Sequence, residues 1–258
     1  MRIALGVEYD GTRFYGWQIQ PGTRTVQECI EQALSKVANH PVRVITAGRT
    51  DTGVHALGQV IHFDTEAVRE NHSWVFGANA NLPDDCGLTW ARPVVDDFSA
   101  RFSATARHYR YVIFNRAVRP GAFGTKVSWC YRPLTVEWMQ AAAHHLVGEH
   151  DFSSYRALSC QAKQPVRTVH RLEVVRQGER VVIDIVANAF LQHMVRNIAG
   201  VLMTIGAGER PPEWAREVLD ARDRTLGGVT ATPHGLTLMA VDYPARFDLP
   251  RPTVSLCF

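Results

Sequence analysis

Apolar and polar residues alternate from the start of the chain. Over residues 2–9, Ile3, Leu5, Val7 and Tyr9 fall on one side, the two-residue period of a strand, and Asp10-Gly11 follows as a turn. The period then changes. Thr25-x-x-Glu28 has the spacing of a capping box, and Val26, Ile30, Ala33, Leu34 and Val37 recur at helical spacing, which predicts a helix with one apolar stripe. Residues 42–46 and 57–63 read as strands around a glycine-punctuated loop, 66–80 as a helix and 87–92 as a short strand. The order so far is β-α-β-β-α-β.

A similar order returns downstream. Residues 107–115 predict a strand with Tyr109, Tyr111 and Ile113 on one face, and 135–147 a helix. Strands at 169–176 and 181–187 meet near Gln177-Gly178, helices follow at about 190–206 and 213–221, and a strand at 235–241 carries Leu236 and Leu238 on one face. The expected fold class is α+β: two ferredoxin-like halves, antiparallel sheets side by side, a cleft between them. The N-terminal half spans residues 1–100 and the C-terminal half 101–258, with the boundary near 98–106.

Composition narrows the function classes. The chain has 258 residues, 46% hydrophobic and 21% charged, ordinary globular usage that excludes a disordered tail protein. No apolar run approaches the ~18 residues of a membrane span. Glu8 and Asp10 end the first apolar stretch too soon for a secretory leader, so a soluble cytoplasmic protein is expected. Five scattered cysteines (Cys29, Cys86, Cys130, Cys160, Cys257) form no C-x-x-C pair, which argues for reduced, mostly buried thiols.

Charge adds a partner class. The net charge is only +3, yet 25 of the 28 basic residues are arginine, a bias that codon usage or phosphate recognition could each produce. Distribution favours phosphate. Between Asp97 and Glu137 there is no acidic residue but seven basic ones: Arg101, Arg107, Arg110, Arg116, Arg119, Lys126 and Arg132. Acid-free stretches recur from Asp151 to Glu173, with Arg156, Lys163, Arg167 and Arg171, and from Asp184 to Glu209, with Arg196.

The densest polar stretch is Gly48-Arg49-Thr50-Asp51-Thr52-Gly53-Val54-His55, between two predicted strands. Its glycines let the backbone turn sharply and present the side chains together. Asp51 could simply cap the loop. It could equally be a carboxylate held ionised by Arg49 and used as a nucleophile or a base. Local physics leaves those roles open.

This segment, with Ala56, resembles the catalytic signature of the TruA family of tRNA pseudouridine synthases. The resemblance extends along the chain. It includes Ala4-Leu5-Gly6-Val7-Glu8-Tyr9-Asp10-Gly11, Tyr15-Gly16-Trp17-Gln18, Asn79-Ala80-Asn81-Leu82-Pro83 and Ala100-Arg101-Phe102-Ser103-Ala104 with Tyr109-Arg110-Tyr111. It continues through 188–198, Gly235-Leu236 and Val241-Asp242-Tyr243-Pro244.

The resemblance implies the pseudouridine synthase fold and an isomerase that converts uridine to pseudouridine at tRNA positions 38, 39 and 40. No cofactor or metal is implied, because the reaction has no net oxidation or hydrolysis. Asp51 would be the essential carboxylate, acting at ribose C1′, at uracil C6 or through a glycal. Arg49 would ion-pair with it and fill the stack left by the extruded base. Tyr109 would stack on the uracil and serve as a base, Tyr111 would be core, and Leu236 would form the floor. Phosphate contacts are expected from Arg24, Arg101, Arg110, Lys163, Arg167 and Arg196, with His193 on the helix face of Arg196. The partners implied are the tRNA anticodon arm and a second copy of the chain, with no DNA and no membrane. The competing readings are a non-catalytic RNA-binding protein and a metal-dependent hydrolase; the latter lacks any H-E-x-x-H or paired-cysteine spacing.

Overall fold

The computed structural model describes residues 1–252, and Cys257 lies outside the described residues. Two compact units are present: Met1–Ala106 with the residues from Thr237 onward, and Arg107–Leu236. The fold is α+β, and its strand pairs are mostly antiparallel.

The first unit follows the order read from the pattern: β1 (Arg2–Tyr9), α1 (Val26–Ala38), β2 (Ile45–Thr46), β3 (His55–Asp64), α2 (Asn71–Asn79) and β4 (Cys86–Val94). β1 lies between β4 and β3, antiparallel to both. Its alternation is only half visible in its burial, since Ala4 is as inaccessible as Ile3 and Leu5. The second face is covered too: a Cβ at Gly6 would collide with the Trp90 indole on β4. Phe63 of β3 meets Trp74 of α2 edge to face at 5.2 Å. Burying side chains of this size stabilises by roughly 1.5–3 kcal/mol each.

Three elements depart from the pattern, each because a side chain or carbonyl takes a backbone N–H. β2 is shorter than 42–46 because the Val42 amide donates to Ser35 Oγ and the Val44 amide to Glu31 Oε1 rather than to a ladder. α2 starts later than residue 66 because Thr65 Oγ1 accepts the Ala67 amide and 65–70 stay outside the helix. The predicted capping box does not form: Thr25 makes no side-chain cap, and the first α1 amides, of Val26 and Gln27, donate instead to the Gly16 and Trp17 carbonyls. Thr25 is fully buried and its hydroxyl has no partner.

The second unit contains β5 (Ala106–Asn115) from Arg107 on, β6 (Ser128–Cys130), α3 (Val136–His144), β7 (Gly148–Asp151), β8 (Val166–Gln177), β9 (Arg180–Ala187), α4 (Met194–Gly206) and α5 (Trp214–Ala221). The strand order is β5-β9-β8-β7, with β6 parallel to β5. β6 and β7 are three and four residues long, too short for periodicity to register. α4 begins at Met194, not near 190, because His193 adopts a left-handed conformation (φ 62°) at its N-terminus. A Cβ on Gly206 of α4 would lie 2.7 Å from Met139 Sδ, so this glycine lets α3 approach closely.

The closing strand β10 (Leu236–Asp242) differs from its expected place in the second half. Thr237 and Leu238 pair in parallel with His55 and Ala56 of β3, and that ladder places the strand from Thr237 onward in the first unit. Cys86 and Cys130 are buried, while Cys29 and Cys160 are half-buried; all four are free thiols. Among the described residues no helix is long and apolar enough to cross a membrane.

Candidate active site

The polar loop 48–54 leads directly into β3, and it is pinned along its length. The Gly48 carbonyl accepts from Gln59 Nε2 at 2.7 Å and from Thr46 Oγ1 at 3.2 Å. The Thr50 carbonyl accepts the Trp17 amide at 3.0 Å, and Thr50 Oγ1 lies 2.7 Å from the Tyr9 hydroxyl. The Val54 amide closes a turn onto the Asp51 carbonyl at 3.1 Å. Asp51 therefore sits between fixed points, half-buried, flanked by exposed Arg49 and Thr52.

The partner of this loop is the segment after β1. Asp10 Oδ1 accepts the Thr12 amide and starts a single 3-10 turn, Gly11–Arg13. Gly11 has no room for a side chain: a Cβ there would run into the Val54 carbonyl. Gly16 (φ 82°) lies against the same loop, where a Cβ would meet the Thr50 carbonyl at 2.8 Å. His55 Nδ1 lies 3.0 Å from the Gly11 amide nitrogen and 3.0 Å from Asp10 Oδ1, which ties the end of the loop to the turn. Tyr9 is buried, and burial pushes its hydroxyl far above the ordinary tyrosine range. It is a neutral hydrogen-bonding post, not a base.

Arg24 braces the turn from the other side. Its guanidinium forks onto Asp85 at 2.6 and 2.9 Å and stacks over Phe14, 4.1 Å from the ring centroid. Arg13 adds a third contact to Asp85 at 3.1 Å. The Arg24 hydrogen bond holds the Asp85 carboxyl below the usual range. A largely buried carboxylate needs such a partner.

Other expected site residues are distributed as follows. Arg49 is exposed. Tyr109 is buried in β5, opposite Ile185 of β9, with its ring edge-on to Phe190 at 5.1 Å. Tyr111 is fully buried and donates to the Thr232 carbonyl at 3.0 Å. Leu236 is buried just after Gly235, whose φ of 83° marks the bend into β10.

Of the expected phosphate contacts, Arg110 forks onto Asp184 at 2.8 and 2.9 Å. Arg196 Nε donates to the Ala231 carbonyl, and Arg167 donates to the Gln164 and Val166 carbonyls. Lys163 and Arg101 are exposed. The acid-free stretches are thus less unbalanced in space than along the chain: Arg110, Arg116 and Arg132 reach Asp184, Glu179 and Glu209. Among the described residues no three His, Cys, Asp or Glu side chains gather into a possible cation site.

Tyr9, Gln59 and Trp17 are the supports that site reading from sequence missed. Gln59 looks like an ordinary strand position, whereas Tyr9 lies in the resembling block 4–11. Trp17 has a signal, because it lies in one of the resembling blocks.

A sequence profile described as tRNA pseudouridine synthase matches residues 6–103 and 142–244. A tRNA pseudouridine synthase A from Nitrosococcus oceani is 65% identical over 251 residues, 97% of each chain. One from Alcanivorax borkumensis is 60% identical over 250 residues, 96% of this chain and 94% of its own. A solved Cbf5–Nop10–Gar1 complex overlaps 78% of this chain and 45% of that chain, at 13% identity and a TM-score of 0.36.

Proposed function

Because the chain belongs to the tRNA pseudouridine synthase family, we propose that it isomerises uridine at positions 38, 39 and 40 of the anticodon arm, with Asp51 as the essential carboxylate. It is a uridine-to-pseudouridine isomerase acting on tRNA. The observation that best supports the finer reading is the pinned loop, which holds Asp51 between the Thr50 and Val54 anchors. Precise placement of a reacting group is a large share of catalytic power.

The chemistry is an exchange of bonds. The N1–C1′ bond of uridine breaks, a C5–C1′ bond forms, the C5 proton leaves, and N1 takes up a proton. No oxidant, hydride or water is consumed, so no cofactor or metal enters the balance. A carboxylate can divide this exchange into two easier steps by attacking C1′ or C6, or can assist a glycal route. Arg49, exposed beside Asp51, would take the stacking place of the extruded uridine; extrusion costs a few kcal/mol, which a planar guanidinium partly offsets. Tyr109 would stack on the uracil and take a proton, and Leu236 would give an apolar floor. Arg101 and Lys163 are the exposed candidates for phosphate. Arg24, Arg110, Arg167 and Arg196 would reach phosphate only with donors left over from their protein partners.

The test is release of a C5 proton label from uridine-labelled tRNA with a chelator present. Isomerisation must eject that proton, so release at an unchanged rate in chelator is expected. Bound tRNA without release would favour a non-catalytic RNA-binding protein, and release abolished by the chelator would favour a metal enzyme. The reading includes a cytoplasmic homodimer with one tRNA crossing both subunits, a closed pair of the commonest kind. Light scattering should give two chains per particle, and a single chain would contradict this.

A further inference from the structure

The turn at residues 99–103 holds a phenylalanine out in water on a braced backbone. Phe102 is 80% exposed, although Phe98 and Ala100 beside it are fully buried. Single exposed apolar residues are common, so exposure alone means little. The bracing is what distinguishes this one. The Ser103 amide donates to the Ser99 carbonyl at 2.9 Å, and the Ser99 amide donates back to Ser103 Oγ at 2.9 Å. The Phe102 amide donates to Ser99 Oγ at 3.3 Å.

Ala100, at the centre of the turn, is tied from both sides. Its amide donates to His62 Nδ1 at 3.0 Å, and its carbonyl accepts from the Tyr243 hydroxyl at 2.7 Å. Burial pushes the His62 pKa down from 6.5 to about 4, so at neutral pH the ring is uncharged and Nδ1 can accept. Beneath the turn, Phe98 packs on Tyr243 and Phe247 at 5.2 and 5.0 Å. The backbone is thus fixed while the Phe102 ring stays solvated. The Arg101 guanidinium lies 5.1 Å from that ring's centroid.

A rigidly presented aromatic ring beside a guanidinium is suited to an unpaired nucleobase, with the ring on the base and the cation near its phosphate. The flanking Ser99, Ser103, Ala104 and Thr105 are polar or small, so along this turn Phe102 is a single apolar side chain and not part of an apolar run. We propose that Phe102, with Arg101, is a stacking platform for an unpaired base of the tRNA other than the reacting uridine. The proposal rests on the tRNA isomerase reading and extends it to how the loop of the substrate is gripped.

The test uses the full chain with Phe102→Ala and Phe102→Tyr. An unmodified tRNA transcript and a fully paired RNA duplex of similar length are the probes. Filter binding gives Kd for each, and label release gives KM and kcat on the tRNA. Phe102→Ala should weaken tRNA binding about 10-fold, with the loss in KM rather than kcat, since one stacked base is worth about that much. Phe102→Tyr should restore the affinity, and duplex binding should be the same for all three proteins. Wild-type Kd and KM in Phe102→Ala would overturn the proposal. So would an equal loss on the duplex, or a loss that tracks dissociation of a dimer in light scattering. If wild type releases no label, the isomerase reading fails, while the tRNA-against-duplex comparison still decides the role of Phe102.

Discussion

Asp51→Ala abolishes label release from uridine-labelled tRNA while tRNA binding persists. The expected loss in turnover is at least about 10⁴-fold, the scale on which enzymes lose rate when a reacting carboxylate or nucleophile is removed. Affinity holds because contacts to the phosphate backbone supply most of it. Asp51→Asn should be nearly as inactive, since it keeps the shape and hydrogen-bonding reach of the side chain but loses the anionic oxygen. The pair separates chemistry from architecture. Single-turnover release measures the first, and filter binding with thermal melting measures the second. Turnover within tenfold of wild type in either variant would remove Asp51 from the mechanism.

Gly11→Ala has the next largest expected effect, and it comes from packing alone. Gly11 is buried, and its added methyl would collide with the backbone carbonyl of Val54. No flexible side chain can give way there. The loop must move, and Val54 carries Asp51 with it through the 3.1 Å bond from its amide to the Asp51 carbonyl. A displacement of about 1 Å at a reacting group costs on the order of 100-fold in rate. Overpacking also lowers stability by about 1–3 kcal/mol. Steady-state label release and urea unfolding check the two parts. Gly121→Ala is the control, because a Cβ there meets nothing within 4 Å. If Gly11→Ala keeps wild-type kcat, the turn does not position Asp51.

Much of this architecture is legible in the sequence because it is local. β1, α1, β5 and α5 carry clear periods, and the structure has them within a residue or two of the predicted bounds. The polar loop shows itself as well, since two glycines isolate a charged tetrapeptide between apolar strands. What stays hidden is decided by distant partners. Thr25 and Glu28 spell a capping box, yet the Gly16 and Trp17 carbonyls reach the α1 amides first. The place of β10 depends on pairing with β3, some 180 residues earlier in the chain. Arg24 and Arg110 look like free cations along the chain, but Asp85 and Asp184 hold both in forks. Gln59 supports the Asp51 loop from a position whose letter matches an ordinary strand residue, and no pattern marks it; Tyr9 lies in a resembling block, but its bond to Thr50 is a contact across 41 residues that no local pattern shows.

The chain's membership of the family fixes the reaction class, and the finer claim concerns where on tRNA it acts and through which residue. The direct measurement is nucleotide-resolved mapping of pseudouridine in one unmodified tRNA transcript with uridines at 38, 39 and 40. The transcript is incubated in chelator with wild type or with Asp51→Ala. The account predicts pseudouridine at those three positions with wild type, none elsewhere, and none with the variant. Conversion at other uridines, or conversion by Asp51→Ala, would contradict it.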